Sequence, residues 1–175
     1  MSYMRFFESE GRIKPEELKL ISERVESENY KFRRYLKGRA NPEKLDKYFL
    51  DLHNELFEGY DCASCRNCCK ELSATITPEE VEQIAACMHM PKEDFIRRYT
   101  EETPDGYEVR DKPCAFLNSD YSCQLENCKP QSCIDYPHTN KPDRLFSLLG
   151  IMDSTTVCPV AFEIVERLKK MYRFR

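Results

Sequence analysis

The residues of this sequence best suited to chemistry are its 10 cysteines, none of which lies in residues 1–61. Cys62, Cys65 and Cys68 are separated by two residues each, and Cys69 follows at once. This spacing lets successive thiolates turn toward one ion or cluster, because the backbone reverses within a single tight loop. Neighbouring side chains usually diverge, so the adjacent thiols of Cys68 and Cys69 indicate either two centres or a bridge between two metals.

Disulfides are the main alternative for an even number of cysteines. Residues 1–10 carry Arg5, Glu8 and Glu10, where a secretory signal needs an uninterrupted apolar segment. Cytosolic thiols are kept reduced, and a chain of 175 residues can bury a core without disulfides. The most apolar stretch, residues 145–152, is far shorter than the roughly 18 residues of a transmembrane helix. We therefore predict a cytoplasmic protein, outside the membrane, whose cysteines mainly bind metal.

The distribution of charge argues against nucleic acid as the main ligand. The net charge is −4, and residues 62–133 carry 8 basic and 13 acidic side chains, a difference of −5. Nucleic-acid-binding proteins concentrate basic residues instead. Since the acidic excess coincides with the cysteines, the expected partners are metal ions, together with a redox or protein partner.

Start signals that contain proline predict the helices that must position these cysteines. Asn41 is suited to cap a helix that ends before Gly59, and Thr77 and Glu80 have the spacing of a capping box. The prolines at the predicted starts are Pro15, Pro42, Pro78, Pro91 and Pro159.

Residues 105–142 lack a helical period. Short strands are predicted around residues 107–109, 115–117 and 121–123, followed by an irregular loop over 124–142. The predicted fold class is α+β, mainly helical, as a single domain with an irregular cysteine-rich metal-binding lobe. Residues 1–59 are expected to be a helical pair that packs on a cysteine-cluster domain of residues 60–175, the two parts forming one structural unit.

Over about residues 60–168, the sequence resembles the cysteine-cluster proteins typified by the bacterial YkgJ group. These proteins are described as zinc- or iron-chelating, and some as Fe–S oxidoreductases. The resemblance rests on Cys62-x2-Cys65-x2-Cys68-Cys69, Thr77-Pro78-Glu79-Glu80, Asp94-Phe95-Ile96-Arg97-Arg98-Tyr99, Pro113-Cys114-Ala115-Phe116-Leu117, Cys123, Cys133, Tyr136-Pro137 and Cys158-Pro159.

The resemblance implies eight metal ligands, which by stoichiometry form two four-ligand sites: Cys62, Cys65, Cys68, Cys69, Cys114, Cys123, Cys133 and Cys158. An iron–sulfur cluster is assigned to Cys62, Cys65, Cys68 and Cys158. Cys87 and Cys128 do not match the family pattern. We interpret Cys87, near the end of an apolar helix, as a buried structural thiol, and leave open whether Cys128 or His138 also ligates.

The chain departs from the family pattern between its last two loop cysteines. The family commonly has an aromatic residue and an Arg-Pro pair there, where this chain has Glu126 and Lys129-Pro130. Lysine keeps the positive charge but lacks the bidentate fork of arginine. Recognition of an anionic group through such a fork is therefore not implied here.

The donor set leaves the metal open. Four thiolates around zinc form a redox-silent structural site, whereas a [4Fe–4S] cluster suits three closely spaced thiolates and a distant fourth. The predicted function is metal binding, with iron–sulfur electron transfer preferred and a structural zinc interaction module as an alternative. Related sequences include some described as protein lysine N-methylases that act on flagellin. An Fe–S oxidoreductase or a methyltransferase-related enzyme is thus the other class, with no catalytic residue identified.

Overall fold

The computed structural model describes residues 13–174 of the chain. About 60% of these residues are helical and about 7% are in strands. The predicted α+β, mainly helical, fold class is therefore confirmed. Among the described residues, no helix has both the length and the apolar character needed to cross a membrane.

The helices and strands of the described residues are joined by short connections, except for the long segment of residues 110–130 between the last strand and the helix that follows it. The helices are α1 (Pro15–Arg39), α2 (Pro42–Phe57), α3 (Cys62–Cys65), α4 (Asn67–Glu71), α5 (Pro78–Cys87), α6 (Lys92–Tyr99), α7 (Gln131–Asp135), α8 (Arg144–Ser154) and α9 (Pro159–Met171). The strands are β1 (Thr75–Ile76), β2 (Thr100–Thr103) and β3 (Gly106–Val109).

The structure confirms the predicted helix starts. Each start depends on groups only a few residues apart, so the local sequence is enough to predict it. Asn41 caps α2 by accepting a hydrogen bond from the backbone N–H of Lys44 at 2.8 Å. Thr77 and Glu80 form the predicted capping box of α5. Helix α6 begins one residue after Pro91, which takes the cap position.

The described residues form two compact units. The helical unit comprises residues 13–59 and 139–174, and the cysteine unit comprises residues 60–138. The expectation that residues 1–59 and 60–175 make one structural unit stays a prediction.

Helices α1, α2, α8 and α9 pack against one another in the helical unit. Phe32, Phe49, Leu148 and Phe162 are fully buried there. Burying each such side chain contributes about 1.5–3 kcal/mol to folding, so this apolar core is a main source of the stability of the unit.

Helix α8 has no local start signal, and no helix was predicted over residues 144–154. The backbone of Asp143 is left-handed, with φ of 61°, and its side chain makes no capping hydrogen bond. The cap comes from α2 instead, because the carboxylate of Asp46 accepts hydrogen bonds from the N–H groups of Asp143 and Arg144, both at 2.8 Å. A helix start that depends on a residue about a hundred positions away leaves no trace in the local sequence.

The cysteine unit contains an antiparallel sheet with the strand order β1-β3-β2. Gly106 begins β3 with φ of +138°, and a Cβ atom there would lie 2.7 Å from the carbonyl oxygen of Ile76. Only glycine fits this close approach without strain. A core that includes Phe95 and Phe116 packs beside the sheet.

The sequence located β3 but was misleading elsewhere in this unit. Residues 115–117 and 121–123 are not strands in a sheet, since they pair only at the isolated bridge between Leu117 and Cys123. The loop predicted over residues 124–142 is wrong at Gln131–Asp135, which forms α7. This helix has five residues, too few to show a helical period.

We predict that Asp46→Ala destabilises the helical unit by about 1–2 kcal/mol, because two N–H groups at the start of α8 lose their acceptor. Asp51→Ala on the same helix is the matched control. Asp51 forms an exposed ion pair with Lys47, so its loss should cost about 0.5 kcal/mol or less. The free energies of unfolding are measured by urea denaturation. Equal losses for the two variants would contradict the capping role of Asp46.

Candidate metal centre

The first four cysteines of the cluster lie on two short helices, α3 and α4. Asp61 caps α3 by accepting hydrogen bonds from the N–H groups of Ala63 at 2.9 Å and Ser64 at 3.2 Å. Arg66 separates the helices in a left-handed conformation, with φ of 46°. The tight reversal expected from the two-residue spacing is thus made by a left-handed residue between two helical turns.

Four of the thiols, which we call the four-thiol group, belong to four separate segments of the cysteine unit: Cys69, Cys114, Cys123 and Cys133. The N–H of Cys114 donates to the carbonyl oxygen of Cys69 at 2.8 Å, which ties two of the segments together. The charge of Cys69 contributes to raising the pKa values of Cys114, Cys123 and Cys133, which indicates that the four thiols are within electrostatic reach of one another. The fold therefore gathers thiols up to 64 positions apart in the sequence.

Three members of the group hold their protons firmly. Burial of the sulfur, followed by the charges of neighbouring thiolates, raises the pKa of Cys133 to about 11. Cys133 is exposed as a whole residue, so we attribute the raised pKa mainly to the charges of the neighbouring thiolates. Burial also raises the pKa values of Cys114 and Cys123, with a further rise from the charge of Cys69.

Cys69 has the opposite tendency. A hydrogen bond from the Cys68 thiol, opposed by burial and assisted by the positive charges of Arg66 and Lys129, lowers the pKa of Cys69 to about 6. A thiolate is the form that binds metal. Cys69 is thus the member of the four-thiol group whose surroundings favour the ligating form.

The remaining predicted ligands lie in different places. Cys62 and Cys65 occupy the two ends of α3, and the pKa of Cys62 is raised first by burial and then by the charge of Cys65. Cys68 follows on α4, next to Cys69. Cys158 belongs to the helical unit, where it is buried and its sulfur accepts a hydrogen bond from the N–H of Ala161 at 3.4 Å as the cap of α9.

The donors are all of one chemical kind. Thiolates suit zinc and iron–sulfur clusters and are poor ligands for magnesium or calcium. Within residues 13–174, no group of three or more Cys, His, Asp or Glu side chains is placed so that it could hold a metal ion. The four-thiol group fits such a metal in the chemistry of its donors.

The two cysteines outside the family pattern are bonded to each other. Cys87, at the end of α5, forms a disulfide with Cys128, 41 positions later in the loop between Cys123 and Cys133. The interpretation of Cys87 as a buried structural thiol is wrong, since it is exposed and oxidised. With its sulfur in this bond, Cys128 is not a metal ligand, and the other eight cysteines keep their thiols. The sequence feature that could have predicted this disulfide is that Cys87 and Cys128 are the two cysteines without a place in the family pattern.

One of the two departures from the family pattern, Glu126, contacts both the other departure, Lys129, and Arg66, a residue that the sequence did not single out. The carboxylate of Glu126 accepts hydrogen bonds from the Lys129 ammonium at 2.6 Å and from the guanidinium of Arg66 at 3.2 Å. Arg66 also donates to the carbonyl oxygen of Tyr121 at 2.9 Å. The sequence feature that could have drawn attention to Arg66 is its position between Cys65 and Cys68. For His138, which has a left-handed backbone with φ of 61°, ligation stays open.

These features define a cysteine-rich metal-chelating domain. Residues 61–159 match the family model described as "CxxCxxCC: Putative zinc- or iron-chelating domain". The match covers more than half of the chain, so the chain belongs to this family, and the resemblance found in the sequence is confirmed. No curated protein and no solved structure matches the chain.

We predict that the double variant Cys87→Ser, Cys128→Ser is about 2–4 kcal/mol less stable than the wild type. The disulfide closes a loop across 41 positions, and its removal restores conformational entropy to the unfolded chain. Urea unfolding of both proteins, with and without a thiol reductant, measures the difference. The reductant should lower the stability of the wild type toward that of the variant. A variant as stable as the oxidised wild type would contradict a structural role for the bond.

Proposed function

We propose that the protein binds metal through two sets of thiolates and that at least one set holds an iron–sulfur cluster used in electron transfer. The observation that carries the proposal is the four-thiol group, Cys69, Cys114, Cys123 and Cys133. Its members come from segments far apart in the sequence yet lie within electrostatic reach of one another. Three of these thiols resist ionisation beside one another, whereas the thiolate is the form that binds metal. A bound cation would let all four ionise together, and this supports a metal as the reason for the arrangement.

The family supports the coarser part of this proposal, since its domain is described as zinc- or iron-chelating. For the second set we propose Cys62, Cys65 and Cys68, whose spacing is typical of [4Fe–4S] ligation. Cys158 as the fourth ligand rests on the sequence alone. The enzyme alternatives stay predictions from the resemblance.

Bound metal would serve the cysteine unit in two ways. It would neutralise part of the thiolate charge, and it would join α3, α4 and α7, which have only four or five residues each. Structural metal sites contribute folding free energy directly because the unfolded chain lacks the preformed site. In an iron–sulfur centre the same thiolates would in addition set the reduction potential together with nearby charges.

The identity of the metal is the first test. Protein purified without oxygen is expected to be brown and to contain iron and acid-labile sulfide in equal amounts, by elemental and sulfide analysis. A colourless protein that carries about two zinc ions, one for each four-thiolate site, would contradict the iron–sulfur part and leave metal binding standing. A protein that holds neither metal would contradict both.

The ligand set is tested by substitution. Cys114→Ser and Cys133→Ser should each lose the metal of one centre, about half of the total content, because a neutral hydroxyl does not replace a thiolate ligand. The double variant Cys87→Ser, Cys128→Ser is the control, and it should keep its full metal content at a temperature at which it stays folded. If both single variants retain all their metal, the four-thiol group is not a ligand set.

A further inference from the structure

Arg66 is an unusual residue for the centre of a cysteine run. Its backbone is left-handed, with φ of 46°, a conformation that favours glycine. Its side chain is only 9% exposed, although it carries a full charge. An arginine that accepts both a strained backbone and the loss of hydration needs compensating contacts.

The contacts of Arg66 reach across to the segment that carries Cys123. The Nε group donates to the carbonyl oxygen of Tyr121 at 2.9 Å, and the terminal nitrogen donates to Glu126 at 3.2 Å. One side chain thus binds positions on both sides of Cys123. The neighbouring Lys70 adds a second tie, since its ammonium lies 4.6 Å from the centre of the Tyr121 ring.

The charges around Arg66 have a definite order. Glu126 lies between two cations, because its other oxygen accepts from Lys129 at 2.6 Å. Arg66 stands three positions before Cys69, and Glu126 and Lys129 follow Cys123 closely in the chain. The hydrogen bonds therefore fix the net positive charge of the Arg66–Glu126–Lys129 group between the segments of two members of the four-thiol group.

We propose that Arg66 is a positioning residue of the four-thiol group, holding the segment of Cys69 against that of Cys123 and supplying positive charge to the thiolates. The inference rests on the proposed metal binding. Four thiolates around a divalent ion keep a net charge of about −2, and a cation close by lowers the free energy of that state. The hydrogen bonds fix where the charge stands, so the geometric and electrostatic roles belong to the same side chain.

Because the backbone of Arg66 is left-handed, glycine can replace it without adding backbone strain. Arg66→Gly removes the side chain and relieves the backbone at the same time. Arg66→Gln removes the charge but keeps a polar side chain that can donate to Tyr121, and Arg66→Lys keeps the charge without the fork. Arg110→Met is the control, because Arg110 also donates to a backbone carbonyl, that of Thr100 at 2.7 Å, and pairs with Glu101 rather than with a cysteine.

The experiment is a zinc titration of the full chain, free of oxygen, in competition with a chromophoric chelator at low and high salt. Arg66→Gly and Arg66→Gln should bind zinc about 10–100-fold more weakly than the wild type, the usual loss for a residue behind the ligands. Arg66→Lys should recover part of the affinity at low salt and less at high salt, since a point charge is screened. A purely structural role would not produce this rescue.

The outcomes separate the two proposals. Wild-type zinc affinity in both Arg66→Gly and Arg66→Gln would overturn the role of Arg66 and leave metal binding intact. A wild-type protein that binds no zinc would overturn the role of Arg66, and one that in addition holds no iron would overturn metal binding as well. If Arg66→Gly does not fold, as judged by circular dichroism of the metal-free protein, Arg66→Gln decides the outcome, and its loss of affinity must exceed that of Arg110→Met.

Discussion

The free-energy cost of ionising several neighbouring thiols together is the constraint on which the cysteine unit depends. Cys69, Cys114, Cys123 and Cys133 lie close enough for the charge of one to raise the pKa of others. The surrounding segment, residues 62–133, is already acidic by five charges. Such a group is compatible with ionised sulfur only where positive charge is in contact with it. The proposed metal would supply that charge at the centre, and Arg66 supplies it beside Cys69.

The rest of the unit is built to bring these thiols together on irregular backbone. Helices of four or five residues have little stability of their own, so α3, α4 and α7 depend on side-chain ties such as the Asp61 cap and the contacts of Arg66. The Cys87–Cys128 disulfide joins α5 to the loop between two thiols of the group. Apolar packing around Phe95 and Phe116 supports the sheet beside them. The cysteine unit is thus stabilised by side-chain hydrogen bonds, a disulfide and a small apolar core, whereas a large apolar core stabilises the helical unit.

Local interactions explain which elements could be predicted. The caps made by Asn41 and Thr77 join groups three residues apart, so the sequence shows both partners at once. Helix α8 was missed because its cap comes from Asp46, 97 and 98 positions away. Arg66 was missed for the same reason, since its partner Tyr121 is 55 positions away. The one-turn helix α7 was missed because five residues are too few to establish a period.

The sequence by itself determined the family, the mainly helical α+β class and the kind of donor, because cysteine spacing and helix caps are properties of neighbouring residues. Only the tertiary structure decided which thiols stand together and that Cys87 and Cys128 bond to each other. It also decided that Arg66, 60 positions earlier in the chain, bonds to Glu126. These outcomes depend on which distant segments pack side by side. Core packing and non-local hydrogen bonds set that arrangement, and no short stretch of sequence contains both partners.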